Sequence, residues 1–539
     1  MRDTVSADSE PEKLILGHPR GLFVLFLAEM WERFCYYGMR GLLVLYLTKA
    51  LMMGDAKAFG IYGAYTALIY AAPVLGGIIA DKILGYRRAV ILGGLMMALG
   101  EFVVLGGDAT TLYIGMGLLT IGNGYLKANI SSIVGLLYKA GDPRRDSGFT
   151  IFYMGINLGA FLATTVCAWV GETYGYQYGF GLAGIGMLIG VATFVLGQPW
   201  LQGHGGPPSL ERLRSPALLG LSLQTVTILG SFAAVPLLYL LMTRNQIVGV
   251  LLVLVAIYVV GSLLYKGFRS GRIQRDRTIV LVILMFFNIV FWAFFEQAGS
   301  SLTLFTDRNV DRYIPFLDWE MGAAMTQSFN SMFILLFGSV FSAMWIALER
   351  RNANPNIPAK FGIGILLLGI GFLVLLFGRQ IAGPEALVPL WILAFMYMLH
   401  TMGELSLSPI GLSMVTKLAP AGMTGTVMGA WFLSYAGSNY VAAILAKLTG
   451  SEEGSSAIAA MVKAAENSIA VPPGPVTKVL AVAQERSTDA YWLGELGKAQ
   501  EGLSTYVDLF ATLGYIAFGT GVFLIMISRP LNRMMHGVK

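Results

Sequence analysis

Fourteen apolar stretches follow one another along this chain of 539 residues, and their length leaves few solvents able to receive them. Each holds about twenty residues, enough for a helix to cross a hydrocarbon core of about 30 Å. They lie near 21–48, 58–80, 88–107, 110–138, 149–171, 177–199, 217–242 and 246–265. The remaining six lie near 278–305, 322–348, 361–379, 387–416, 423–448 and 505–528. The chain is 56% hydrophobic and 13% charged, more apolar surface than a soluble protein of this size can hide. The fold class is therefore an all-α integral membrane protein with about 14 transmembrane helices. The 66 glycines, many inside apolar runs, suit close helix–helix contact in lipid.

An even number of spans puts both termini on one side. With that side cytoplasmic, the inner loops collect most of the lysines and arginines outside the spans. The richest is K-G-F-R-S-G-R-I-Q-R-D-R-T, from Lys266 to Thr278. The outer loop at 307–320 carries Asp307, Asp311, Asp318 and Glu320. Such asymmetry sets membrane topology. It accounts for the net charge of +6 without any nucleic-acid partner. Cys35 and Cys167 both sit in apolar spans, so no disulfide framework is expected. The polar N-terminus lacks a signal-peptide core, so the first span is read as retained.

The spans divide into a cytoplasmic tail (1–20), a six-helix bundle (21–200), a linker with two extra helices (201–277) and a second six-helix bundle (278–539). A long outer segment, 449–504, precedes the last span and reads as a surface insertion. After the second span comes G-G-I-I-A-D-K-I-L-G-Y-R-R, from Gly76 to Arg88, which resembles the loop signature of the major facilitator superfamily. A degenerate echo, S-A-M-W-I-A-L-E-R-R from Ser342 to Arg351, sits at the matching place in the second bundle. Internal repeats of this kind are typical of transporters.

Chemistry concentrates on the first span, where Glu29 to Arg40 reads E-M-W-E-R-F-C-Y-Y-G-M-R. A helix turns about 100° per residue, so Glu29, Glu32, Arg33, Tyr36, Tyr37 and Arg40 share one face about 140° wide. Ionisable groups at membrane depth are costly and normally face a cavity or a partner. The first bundle adds Lys127. The second offers Glu296 and Glu404. A cleft between the bundles is then cationic on one wall and anionic on the other. That polarity fits a zwitterion, its carboxylate on Arg40 and Lys127 and its ammonium on Glu404 or Glu296. An extended peptide covers about 3.3–3.6 Å per residue, so two or three residues bridge a narrow cleft. Tyr36, Tyr70, Asn157, Trp292, Asn330 and Trp431 are candidates to hydrogen-bond or enclose it, with Tyr37, His400 and Ser408 as secondary ones. His400 stands one helical turn before Glu404.

No G-x-x-x-x-G-K-[S/T] loop occurs, so an ion gradient rather than ATP is the expected driving force. No cofactor or metal is expected, with protons as the coupling ion, and no enzyme activity. Protonating a carboxylate beside Arg33 changes which ion pair forms and so biases two bundle orientations.

E-M-W-E-R-F-C-Y-Y-G resembles the E-x-x-E-R-F-x-Y-Y-G signature of the proton-dependent oligopeptide transporters. F-Y-M-G-I-N-L-G-A-F (Phe152 to Phe161), F-W-A-F-F-E-Q (Phe291 to Gln297) and G-E-L-S-L-S-P (Gly403 to Pro409) resemble further segments of that family. The resemblance implies a major facilitator fold of two six-helix bundles plus two extra central helices in a bacterial cytoplasmic (inner) membrane. It implies proton-coupled uptake of di- and tripeptides by alternating access. It gives Glu29, Glu32 and Arg33 to proton coupling, and Arg40 and Lys127 to the peptide carboxylate. Glu404 takes the amino terminus, Asn157 and Asn330 the peptide backbone, and Trp292 and Trp431 shape side-chain pockets. Glu296 joins a gating or proton-linked pair with Arg40 or Lys127. Ala128 follows Lys127 where the family usually has proline, and the second helix lacks the histidine of animal members. The competing readings are a carrier of nitrate or another small anion or zwitterion, and a peptide sensor without net transport.

Overall fold

In lipid each backbone N–H and C=O must be satisfied within its own segment, which leaves long helices as the economical solution for these spans. The computed structural model describes residues 14–139, 141–383, 385–420, 423–449 and 490–538. Among them are fourteen helices of 19 residues or more. The first six are α1 (Arg20–Leu45), α2 (Asp55–Leu84), α3 (Tyr86–Val104), α4 (Ala109–Leu136), α5 (Arg144–Tyr174) and α6 (Tyr176–Leu201). Then come α7 (Leu223–Thr243) and α8 (Asn245–Arg269). The last six are α9 (Arg272–Asn309), α10 (Ala324–Arg350), α11 (Ile357–Ile381), α12 (Leu390–Leu418), α13 (Thr424–Ala446) and α14 (Ala490–Met526). A short α15 (Ser528–Met534) ends the chain. Ten of the fourteen are long and apolar enough to cross a membrane by length and composition.

Helices α1 to α6 form one bundle, in which α1 packs on α5 and α6, α3 on α4 and α6, and α2 on α4. Helices α9 to α14 form the other, with α11 against α12 and α14, α9 against α13, and α10 against α12. The two meet where α2 packs on α13 and α5 on α10. The extra pair sits at the seam, α7 on α4 and α8 on α2, α9 and α13. The free face of α8 shows Val250, Val253, Leu254, Ile257 and Tyr258, apolar side chains suited to lipid.

Four details depart from the sequence reading. The span expected at 278–305 is not one regular helix: it tightens into a 3-10 turn at Glu296–Gly299, breaks at Ser300 and resumes over Ser301–Asn309. The span expected at 217–242 opens with a short hairpin, Pro216–Leu218 against Leu221–Ser222, and is interrupted at Ala234, just before Pro236. The last helix starts at Ala490 rather than 505, so residues 490–504 are helix continuous with the final span. At 1.5 Å per residue its 37 residues extend about 55 Å, beyond the hydrocarbon thickness. The tail up to residue 13, and residues 450–489 of the expected outer segment, lie outside the described residues.

On the side bearing the chain ends, the Gly76–Arg88 loop is fastened to the linker. Gly85 takes φ 74° and lies against Gly206 and Pro207, where a Cβ would collide with their backbone. Arg87 Nε donates to the His204 carbonyl. On the opposite side, ion pairs join the bundles. Lys49 Nζ lies 2.7 Å from Asp307, and Arg308 forks onto both oxygens of Asp55 at 2.6 and 2.9 Å. Arg312 lies 3.1 Å from Glu320 and 3.9 Å from Asp307. This side of the seam is closed.

Candidate functional site

The helical spacing of α1 delivers its ionisable face to the interior as one connected group. Arg33 pairs with both oxygens of Glu32, and its Nε lies 3.5 Å from Glu29 Oε1. Asn123, on α4, donates to Glu32 Oε1 at 2.8 Å. The Arg33 guanidinium stands 5.0 Å from the Tyr36 ring centroid. Glu29, Glu32 and Arg33 are all buried, and Glu29 Oε2 has no hydrogen-bond partner among the described residues. Two carboxylates thus share one guanidinium, an arrangement able to hold an additional proton.

Two turns along the same helix, Arg40 leaves its own bundle. Its Nη2 pairs with Glu296 on α9, and its Nε donates to the Tyr62 hydroxyl at 2.8 Å. Tyr37 lies beneath the guanidinium, with its centroid 5.6 Å away. The break in α9 makes this contact possible. Glu296 opens the 3-10 turn, and Gly299 closes it directly against the Tyr62 hydroxyl and Arg40, leaving no room for a Cβ. Of the two partners considered for Glu296, the structure selects Arg40. Lys127 lies on an uninterrupted α4, with Ala128 in regular helix, and its ammonium stands 4.2 Å above the Tyr70 ring.

The facing wall is anionic and aromatic. Asn330, in the first turns of α10, donates to Glu404 Oε2 at 2.9 Å and to Thr401 Oγ1 at 3.1 Å. Among the described residues no cation lies within ion-pair distance of Glu404, which is 7% exposed. Tyr435, on α13, is the hub of the aromatic set. It stacks on Tyr70 of α2 at 5.9 Å and lies 5.2 Å from Trp292 and 6.4 Å from Trp431. Tyr36 meets Tyr70 edge-on at 6.4 Å. Asn157 is buried and spends an amide hydrogen on the Tyr153 carbonyl of its own helix, at 3.0 Å.

His400 takes a different surrounding from the rest. Its ring sits edge-on to Phe372 at 4.5 Å and 6.2 Å from Phe295. It joins α12 to α11 inside the second bundle, and no hydrogen bond connects it to Glu404.

Three participants were not singled out in the sequence: Tyr62, Asn123 and Tyr435. Asn123 had a readable signal, an amide one turn before Lys127 on the same helix face. The two tyrosines had none, since their partners lie on other helices and tyrosine is common in these spans.

A family model described as the POT family matches residues 87–462. The chain is 36% identical over 450 residues to the uncharacterized transporter YclF of Bacillus subtilis (strain 168), covering 82% of this chain and 90% of that protein. It is 33% identical over 434 residues to dipeptide and tripeptide permease A of Escherichia coli (strain K12), covering 79% and 85%. Among solved structures it is similar to a peptide transporter POT in complex with sulfate, with 32% identity, a TM-score of 0.76 and 98% of each chain covered. A POT family transporter in complex with 5-aminolevulinic acid matches with 28% identity and a TM-score of 0.74, over 97% of this chain and 98% of that one.

Proposed function

Since this chain belongs to the POT family, we propose that it is a proton-coupled symporter importing di- and tripeptides by alternating access across a bacterial inner membrane. The observation that carries this reading is the polarity of the buried cleft. Arg40 and Lys127 stand on one bundle, and Glu404, held by the neutral amide of Asn330, stands on the other. A short peptide carries a carboxylate at one end and an ammonium at the other.

Arg40 supplies the link to protons. It is engaged by Glu296, so it is not free to receive a peptide carboxylate until that pair opens. A proton on Glu296 removes the charge that holds Arg40, and the guanidinium turns to the substrate. The same proton opens a contact between the bundles, so binding and rearrangement are coupled at one atom pair. The Glu29–Glu32–Arg33 group, two turns away on α1, holds and passes the proton. Moving one charge through the membrane is worth about 2.3 kcal/mol per 100 mV, sufficient to concentrate peptide. With both termini cytoplasmic, the side tied by these ion pairs faces outward, and the cleft opens toward the cytoplasm.

The aromatic hub of Tyr70, Trp292, Trp431 and Tyr435 grips side chains by shape and apolar contact, which tolerates many sequences. Proteoliposomes with an inward proton gradient test the reading. They should accumulate labelled dialanine, and a protonophore should abolish accumulation. Saturable binding by folded protein without flux would select a sensor instead, and competition by nitrate would select an anion carrier.

A further inference from the structure

A cross-bundle contact on the closed side involves a residue that neither the substrate cleft nor the proton group uses. Glu172 ends α5, and its two oxygens each accept a backbone N–H from the other bundle. Ala323 N–H reaches Oε2 and Ala324 N–H reaches Oε1, both at 2.8 Å. These are the successive amides that open α10. The first N–H groups of a helix have no partner within it, and the macrodipole places partial positive charge there. A carboxylate spanning two of them is a strong, directional clasp. Gly322 leaves it room, because a Cβ there would meet the Glu172 carboxyl.

What α10 carries gives this clasp its meaning. Gln327, in its opening turn, donates to the Gly41 carbonyl of α1 at 3.2 Å and to Thr303 Oγ1 of α9 at 3.1 Å. Asn330, one turn later, holds Glu404. The start of α10 is therefore fixed at once to the first bundle and to the acid expected to receive the peptide ammonium. Among the described residues, the charged groups acting on Glu172 are Lys49 just beyond α1, Asp307 of α9 and Arg312 beyond it, with Tyr176 of α6 beside it. Lys49 and Arg312 are already occupied by Asp307 and Glu320. The helix start is the partner Glu172 holds directly.

We propose that Glu172 is a positioning residue for transport, clasping the start of α10 so that the outer side closes only when Asn330 and Glu404 are in place. The inference rests on the symport reading. It assigns to Glu172 a role that begins after peptide has bound and ends when the outer side reopens. Losing the clasp favours the outward-open state and loosens Asn330 against Glu404.

The test compares Glu172→Ala and Glu172→Gln with the wild type, in the full chain. Ser328→Cys, at a buried position in the α10 opening, reports access from the outer side to a membrane-impermeant maleimide. Protein lacking that cysteine is the control, since Cys35 and Cys167 are buried. Two charge-assisted bonds are at stake, so E172A should label about tenfold faster and E172Q less so, its amide oxygen retaining one acceptor. Proton-driven dialanine uptake by E172A should show a raised KM together with a lowered kcat. Equal labelling of E172A and wild type overturns the proposal, as does unchanged KM with faster labelling. If wild-type protein itself carries no peptide, the symport reading fails, while the labelling comparison still decides whether Glu172 holds the outer side shut.

Discussion

Asn330 Nδ2 lies 2.9 Å from Glu404 Oε2, and this amide, rather than a cation, is what holds the buried carboxylate in place. A neutral donor orients the acid without neutralising it. Acceptor capacity remains for an incoming ammonium group. The cationic wall differs, because Arg40 already has an acid partner in Glu296. The cleft is thus set to receive an amine directly and a carboxylate after exchange of partners.

Glu404→Gln removes the charge while keeping the hydrogen-bonding shape. The KM for dialanine uptake should rise by about tenfold or more, with a smaller change for N-acetylated dialanine. Equal losses for both substrates would take the amine role away from Glu404. Asn330→Ala should raise the KM by a smaller factor.

Glu296→Gln leaves Arg40 with Tyr62 and no acid. Proton-driven accumulation should fall to simple equilibration, while exchange of labelled for unlabelled peptide persists. The two are measured in the same proteoliposomes, with and without a pH gradient. Preserved uphill accumulation would remove Glu296 from the coupling path.

Asn123→Leu deletes a donor to Glu32 in a buried site. Proton-driven uptake should drop by about tenfold and its dependence on outside pH should change, with purified protein still monodisperse. A uniform loss at every pH would mark Asn123 as packing only.

Gly299→Ala drives a methyl group into the Tyr62 hydroxyl and towards Arg40. Overpacking of this kind costs about 1–3 kcal/mol. Thermal unfolding in detergent should shift down, and uptake should fall with it. Adding Tyr62→Phe removes the clashing oxygen and should recover part of the unfolding temperature.

Asp142 lies outside the spans, where the side chain and backbone N–H of Arg144 hold its carboxyl down to about 2. A depressed carboxylate contributes stability above its unfolded value of about 3.9 and loses it as pH falls towards the folded value. Asp142→Asn should therefore shift unfolding by a constant small amount between about pH 5 and 8, and the two proteins should converge below about pH 3. Differences growing across the neutral range would point to another group.

The helices were legible because lipid penalises every polar break, so apolar length alone marks them. The breaks were not. Glu296 to Ser300 looks like ordinary helix interior until Arg40 and Tyr62 arrive from the other bundle to fill the turn. The early start at Ala490 was hidden because glycines and charged residues interrupt the apolar ones between Ala490 and Ser504. In the site, Glu29, Glu32, Arg33 and Arg40 announced themselves as charges in a hydrophobic run. Tyr62 and Tyr435 did not, because a tyrosine declares its role only through its neighbours. Which acid Arg40 would meet was likewise a question of bundle packing, on which α1 alone is silent.

The pairs Lys49–Asp307 and Arg308–Asp55 and the Glu172 clasp stand on one side of the seam and join the same two bodies. A fluctuation that frees one leaves the bodies held by the others, so brief single ruptures open no continuous water path. The chance of a breach is closer to the product of three small probabilities than to any one of them. Such a seal spares the proton gradient from idle leakage, and the cell loses little stored voltage while the outer side is shut.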